Sequence, residues 1–540
     1  MACAIALKRQ LGLTDFKIFE KAADIGGTWR DNIYPGASSD SAIHYYSLPS
    51  DLSADWPSTH GSQPDTLAYW KKLAEKYNLY EHIAFNHLVI SAEWDSEHNL
   101  YHVVTQDALG IKSSTTAKIL ISALGILEVP RYPDIAGVES FRGEHFHSAR
   151  WDTRVALSGK RVAVIGNGAS ATQFVPIISR DPTTQVTQFC RTANWYLPNI
   201  RSDFSPWAKW VFKNVPFALR FNWWFEWAWH STGFPLSVRF SRRSLLDRVK
   251  VTAVESHMTK NAPKECLSQI IPQYPPGCKR MLLDTDYLSA LHRPNMFLNW
   301  DGIQSIYEHG IVTKTGQKLP LDVIIFATGF VTDRFPLAVR GVDGETIQDY
   351  YDIQGGPKAY ISTTVPGFPN FFMLAGPNTA TGHNSVIYTE SLQINYVMRF
   401  IQPIIAGVVS TFEVTRAATD LYNDKIQQML ARSVHTSCMS WYRVGGTGRI
   451  ANIFPGPGTL LWMWTRRPKW EDYRVVVGTK KGERSRPVQR ERIARFIARL
   501  GLLTLAVTVG IAFTGSLGRR CALDLLSRML AGGLNSKLFF

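Results

Sequence analysis

In the stretch RVAVIGNGASATQ, Gly166, Gly168 and Ala171 follow four β-favouring residues and open a helix-compatible run. That GxGxxA spacing suits a dinucleotide. The first glycine permits a tight turn, the second lets the backbone approach a pyrophosphate, and the alanine allows close helix–strand packing, with the phosphates at the helix N-terminus. Asn167, Ala169, Ser170 and Thr172 complete the expected cradle. The setting between strand and helix carries the reading, since an ordinary glycine-rich turn can share the spacing. The next strand, TQVTQFCRT, ends in Cys190 and Arg191. An Arg there suits a 2′-phosphate and so NADP over NAD, the plain alternative being a solvent-facing Arg.

Residues 15 to 20, DFKIFE, read as a strand of a second such unit. It ends in Glu20, an acidic residue placed to meet a ribose hydroxyl. Only MACAIALKRQLGLT precedes it, and that segment has the look of the later part of a crossover helix. The first strand of this unit and its glycine turn are therefore expected to be absent. Either the gene start is displaced or the protein lacks that phosphate loop.

Just upstream of the glycine turn lies FRGEHFHSARWD, residues 141 to 152. Phe141, Gly143, His147, Trp151 and Asp152 follow neither a helical nor a strand period. Their pattern, FxGxxxHxxxWD, resembles the fingerprint of the flavin-dependent Baeyer–Villiger monooxygenases, in particular the fungal secondary-metabolism type. The resemblance runs over about residues 10 to 470. In GGTWRDNIYPGASSD it implies that Thr28, Trp29, Arg30, Asp31, Ser38 and Ser39 line an FAD. Glu20, Tyr46, Val89 and Val386 are implied on the same cofactor. Asp40 falls on the family's active-site aspartate. CKRM places Lys279 and Arg280 on its Lys–Arg pair, with Lys279 sharing the 2′-phosphate with Arg191. DVIIFATGF closes the NADP domain, and FFMLAGPNTATGHNSV returns to the flavin. His147 is implied to support the domain motion that moves NADP. Ser38 departs from the family, which often has Arg there.

The chemistry of the residue types agrees. No side chain activates O₂, so oxygen insertion needs a flavin, which NADPH would reduce by hydride transfer. Arg280, a permanent cation, would stabilise an anionic oxidant and its adduct with a ketone carbonyl. Asp40 would hold and orient Arg280 through a charge-assisted pair. A structural Arg bridging two domains is the other reading of Arg280.

These residues need elements to position them. A chain of 540 residues exceeds one core, so two or three domains are expected, and 45% hydrophobic with 19% charged residues fits a globular protein. Six cysteines lie far apart without a CxxC pair. That argues against a disulfide framework and a structural zinc site and fits a reducing compartment; no metal is expected. The net charge of +15 is uneven, with +9 carried by the last 60 or so residues. This points to a membrane-seeking or disordered tail rather than a nucleic-acid groove. Within it, LGLLTLAVTVGIAFTGSL, 500 to 517, is uncharged. It is read as a short span or a membrane-lying helix, or else as a helix packed on the enzyme. Between Phe204 and Trp229 stand eleven Phe and Trp. They form either a buried helical subdomain over a substrate channel or an interfacial membrane contact. Both readings favour a bulky apolar substrate.

The expected fold is α/β, with two Rossmann-like domains for FAD and NADP, a helical insert and a basic, hydrophobic C-terminal tail. FAD-binding segments are read over 1–130 and 331–475, the linker over 131–152, and the NADP domain over 153–330 with the insert at about 200–265. The tail is 476–540. The function read from this is NADPH- and O₂-dependent Baeyer–Villiger oxidation of a polyketide or terpenoid ketone to an ester or lactone in secondary metabolism. The rivals are hydroxylation of a carbon or heteroatom and an FAD-deficient, inactive paralogue. Expected partners are the ketone and O₂, with no nucleic acid. The expected location is the cytoplasmic face of a membrane, otherwise the cytoplasm.

Overall fold

Short runs bounded by turns assemble into a five-stranded sheet, ordered Met296–Asn299, Gln185–Phe189, Arg161–Ile165, Val323–Phe326 and Glu144–His147. Every neighbouring pair is parallel. Alternate residues of the central strands enter two cores. Val162, Val164, Val186 and Ile325 pack with Phe174 of the helix Ala169–Ile178 on one face. Ala163, Ile165, Phe189 and Ile324 pack with Phe141 and Ile311 on the other. Burial on both faces is why Arg161–Ile165 and Val323–Phe326 read as near-continuous apolar runs. The computed structural model describes residues 1–238 and 245–478, without side chains over 232–250.

The stretch 141–152 belongs to this sheet. Glu144–His147 pairs with Val323–Phe326 as an outer strand, and Ser148–Arg150 makes one tight turn. Gly143 is required, because a Cβ there would lie 2.5 Å from the carbonyl oxygen of Asp322. Its irregular period comes from a strand running into a turn, with Trp151 closing on Phe146 and Phe174, ring centroids 5.2 Å away in each case.

Residues 2–11 are helical, as the sequence suggests, and end at Gly12 with φ +63°. The strand read over 15–20 shortens to Ile18–Phe19, parallel to Ile83–Ala84. A second parallel pair joins Leu120–Ser122 to Phe371–Met373. No strand among the described residues joins these two pairs. Beside them lies a four-stranded sheet, Ala338–Arg340, Leu88–Asp95, Leu100–Gln106 and Lys112–Ala117. The helix Val386–Ile405 supplies the core here, with Tyr396, Phe400 and Ile404 packed on Phe372 and Phe412. Residues 1–405 and 409–477 form one packed unit, which holds everything discussed below.

Two expectations are corrected. The aromatic insert forms helices Pro206–Asn214 and Ala218–Val238, followed by Leu245–Asn261. It is not a buried subdomain. Trp223 is buried against Tyr45 and Tyr388, but Trp207, Trp210, Phe217, Phe221, Trp224, Phe225 and Trp229 are exposed. A helix with rings on every face can seat only the few that meet the protein. The cysteines, too, do not all stay free: Cys278 and Cys438 form a disulfide across 160 residues. Sequence spacing shows only local pairs, whereas this one is made by tertiary packing of two loops. Cys3, Cys190 and Cys266 are free thiols. No helix among the described residues is long and apolar enough to cross a membrane, and the membrane stretch expected at 500–517 lies outside them.

Candidate active site

The glycine turn closes as its spacing requires. Gly166 has φ +110°, and a Cβ there would sit 2.4 Å from the carbonyl oxygen of Ala327, so any side chain would strain the turn. At Gly168 a Cβ would meet nothing within 4 Å, which leaves the space above the helix N-terminus open. No side chain caps Ala169–Ile178, so its first N–H groups face that space. Ala171 is fully buried against the sheet. Ser170 lies on the first turn of the same helix, and the Thr172 hydroxyl donates back to the Gly168 carbonyl at 3.1 Å. Asn167 donates to the Thr192 carbonyl at 3.0 Å, tying the turn to the strand end that carries Arg191. The Cys190 thiol is buried beside Asn167 of the turn, and burial pushes its pKa up to about 12.

Arg191 is exposed at that strand end. Lys279 reaches the same place, donating to the Thr192 hydroxyl at 2.8 Å with its ammonium 5.2 Å from the Tyr274 ring centre. Burial, and then the Arg191 charge, pull the Lys279 pKa down to about 8. Two cations that disfavour each other beside an open helix N-terminus fit a phosphate, which would offset both effects.

Next to Lys279, Arg280 donates through Nη2 to Asp40 Oδ2 at 3.0 Å. Its side chain stays 45% exposed, against 15% for Asp40. Burial works against the Arg280 charge, but Asp40, then Tyr442 and Tyr46, outweigh it and raise its pKa. Asp40 is fixed from the far side by two residues that sequence reasoning missed. Arg201 donates to Oδ1 at 3.0 Å and Gln173 at 3.3 Å. Gln173, on the helix Ala169–Ile178, also donates to the Ser38 carbonyl at 3.1 Å and accepts from Tyr34 at 3.0 Å. Gly36 lies so close to this helix that a Cβ would meet the Gln173 carbonyl at 2.9 Å. A Gln at the seventh place after a glycine turn has no signal in a single sequence, and Arg201 none either.

The remaining candidates fall in two groups. Thr28–Asp31 make one helical turn; Trp29 meets Tyr46 edge-on at 5.8 Å; Arg30 pairs with Asp31 at 2.7 Å and with Glu20 at 3.3 Å. Arg150, within the 141–152 stretch, reaches Asp31 at 3.3 Å and so ties the two nucleotide units together. Ser38 and Ser39 lie on the Asp40 segment, in contact with Arg201. Val386 opens its helix and is exposed. Val89 instead packs into the core formed by Trp94, Val339 and Phe371. His147 is buried, its Nδ1 accepting from the Ala149 N–H at 3.1 Å, and burial lowers its pKa to about 4, so its ring is neutral near pH 7. Asp152 is turned to Arg154 at 2.7 Å.

A parallel nucleotide fold with an open helix N-terminus and paired cations, joined at an Asp–Arg contact to a second unit, defines a two-domain oxidoreductase that uses a nicotinamide. Comparison narrows the class. Residues 10–222 match the family model described as flavin-binding monooxygenase-like. A Baeyer–Villiger monooxygenase of Pseudomonas aeruginosa is 36% identical over 460 residues, 83% of this chain and 84% of the relative. The FAD-binding monooxygenase ktnD of Aspergillus niger is 31% identical, covering 93% of this chain and 83% of the relative. The crystal structure of OTEMO in complex with FAD and NADP superposes with a TM-score of 0.77 at 25% identity, covering 88% of this chain and 97% of that one. The chain belongs to the Baeyer–Villiger monooxygenases, FAD-dependent enzymes that draw on NADPH and O₂.

Proposed function

We propose that this enzyme inserts oxygen beside the carbonyl of a bulky, apolar ketone, of the polyketide or terpenoid kind, giving an ester or lactone in secondary metabolism. The observation that carries this is the monodentate Asp40–Arg280 contact, at 3.0 Å, with Arg280 still 45% exposed. A guanidinium held at one point keeps N–H donors for a developing oxyanion. Arg280 is the catalytic residue in this reading, and Asp40 orients it.

The nicotinamide cofactor fits residues 166–172, Arg191 and Lys279, which would hold its pyrophosphate and 2′-phosphate. Trp29, Arg30, Asp31, Ser38, Ser39, Tyr46 and Val386 would flank the flavin, with Glu20 toward a ribose. Among the described residues only Arg161–Ile165 runs through a GxGxxA turn into a helix. When bound, the flavin supplies O₂ activation and the nicotinamide supplies hydride. The protein supplies the fixed cation, excludes water and orients the ketone.

The exposed rings of the insert support the apolar substrate class and a place for the enzyme as well. Trp207, Trp210, Phe221 and Trp229, with the exposed Lys213 in the same insert, suit an anionic membrane surface: indole rings favour headgroup depth and a cation favours the phosphates.

Feeding NADPH, ¹⁸O₂ and paired ketones to the flavin-loaded enzyme tests the reading. Polycyclic or terpenoid ketones should yield singly labelled esters at higher kcat/KM than cyclohexanone. A preference for cyclohexanone refutes the substrate class, and label found only in hydroxylated or S-oxidised products refutes the reaction. Flotation with anionic vesicles should fall when Trp207 and Phe221 become Ser; unchanged flotation removes the membrane face.

A further inference from the structure

Asp40 is held by two guanidinium groups, one on each oxygen. Arg280 Nη2 lies 3.0 Å from Oδ2 and Arg201 Nη2 lies 3.0 Å from Oδ1. The two arginines differ in setting. Arg280 keeps 45% of its side-chain surface open, whereas Arg201 keeps 19%. Arg201 also donates through Nη1 to the Ser38 hydroxyl at 2.6 Å and through Nη2 to the Ser39 carbonyl at 3.3 Å. It therefore grips three consecutive residues of the segment that carries Asp40.

Its own backbone is tied down. The Arg201 N–H donates to the Asn199 side chain at 3.0 Å. The next residues run as a strap along 57–59. The Ser202 N–H donates to the Thr59 hydroxyl at 3.1 Å, the Thr59 N–H to the Ser202 carbonyl at 2.8 Å, and the Phe204 N–H to the Pro57 carbonyl at 3.0 Å. The strap then enters the Ser205-capped helix Pro206–Asn214. Arg201 is thus a rigid bracket rather than a loose surface cation.

An Arg facing a free carboxylate tends to close on it with two parallel N–H···O bonds. Such a fork would consume two Arg280 donors and draw the group onto Asp40. With Oδ1 already engaged by Arg201 and Gln173, Arg280 meets Oδ2 alone. We propose that Arg201 is a positioning residue for the oxygenation: by occupying Oδ1 it keeps the Asp40–Arg280 pair single-pointed, so that the remaining Arg280 donors face the reacting atoms. This rests on the reading of Arg280 given above.

The test uses the full-length, flavin-loaded enzyme and measures ester formed per NADPH consumed. Arg201→Gln should lower that coupling by about tenfold, the effect of one misdirected hydrogen-bond donor in a reacting site. The Kd for NADP⁺ should change by less than about twofold, since Arg201 touches neither the glycine turn nor Lys279. Arg201→Lys, which keeps a charged donor toward Oδ1, should recover most of the coupling. In an Asp40→Asn background the Arg201→Gln change should add nothing further, because its effect passes through the carboxylate. Full coupling in Arg201→Gln overturns the proposal. So does a loss that is additive with Asp40→Asn, which marks a merely structural residue. If Arg201→Gln does not fold, the same cycle with Arg201→Met, which keeps the aliphatic stem and carries no donor, reads the same quantity. Coupling that persists in Arg280→Ala would instead strike the reading of Arg280 itself, separately from Arg201.

Discussion

Lys279 gives a pH dependence that can be worked out in advance. Burial and the neighbouring Arg191 charge lower its pKa to about 8. A 2′-phosphate beside it favours the ammonium, so its pKa in the complex must lie higher than in the free protein. The affinity it contributes is then fully present below about pH 8 and falls as the pH rises through about 8 toward the higher value in the complex. From pH 7 to pH 9 the Kd for NADP⁺ should weaken by about tenfold, or about 1.4 kcal/mol. Neighbouring groups do not confuse the window. Burial holds Cys190 up at about 12 and moves Tyr274 well upward. The assay is calorimetric titration of the protein with NADP⁺ at a series of pH values, without turnover. NAD⁺, lacking the phosphate, should give a flat profile. Lys279→Met should bind NADP⁺ more weakly at pH 7 and lose the slope. A flat profile in the wild type, or an unchanged slope in Lys279→Met, would refute the pairing of Lys279 with the phosphate.

Arg280→Ala should leave anaerobic flavin reduction within about threefold of wild type while product falls by at least about a hundredfold, checked by stopped-flow absorbance and ester yield. Arg191→Ala should raise the KM for NADPH by about tenfold or more and leave that for NADH unchanged; equal changes would count against the assignment. Gly166→Ala puts a Cβ 2.4 Å from the Ala327 carbonyl oxygen in a φ +110° turn, so NADP⁺ binding should be lost and urea unfolding should show a destabilisation of about 1–3 kcal/mol. Cys278→Ser should lower stability by about 2–5 kcal/mol in non-reducing buffer. With dithiothreitol present, its unfolding midpoint should match that of the wild type.

The glycine turn at 166–171 was legible because its chemistry is local. A tight turn and an open helix N-terminus are made by six consecutive residues, so type and spacing suffice. Arg191 was legible from its place at the end of the next strand, but Lys279 only through the family resemblance, because nothing local says that positions 88 residues apart meet on one phosphate. The pattern at 141–152 was visible, but its irregular period hid a strand running into a turn, with sheet pairing to residues 323–326 that no local pattern announces. Tertiary structure alone decided three things. Cys278 and Cys438 are partners across 160 residues. Most rings of the 204–229 insert face outward, because helix hydrophobicity does not say which face finds a partner. Asp40 is shared between two arginines, since a carboxylate's second oxygen can be claimed by any chain segment that the fold brings within reach. Here the fold brings Arg201, 161 residues away.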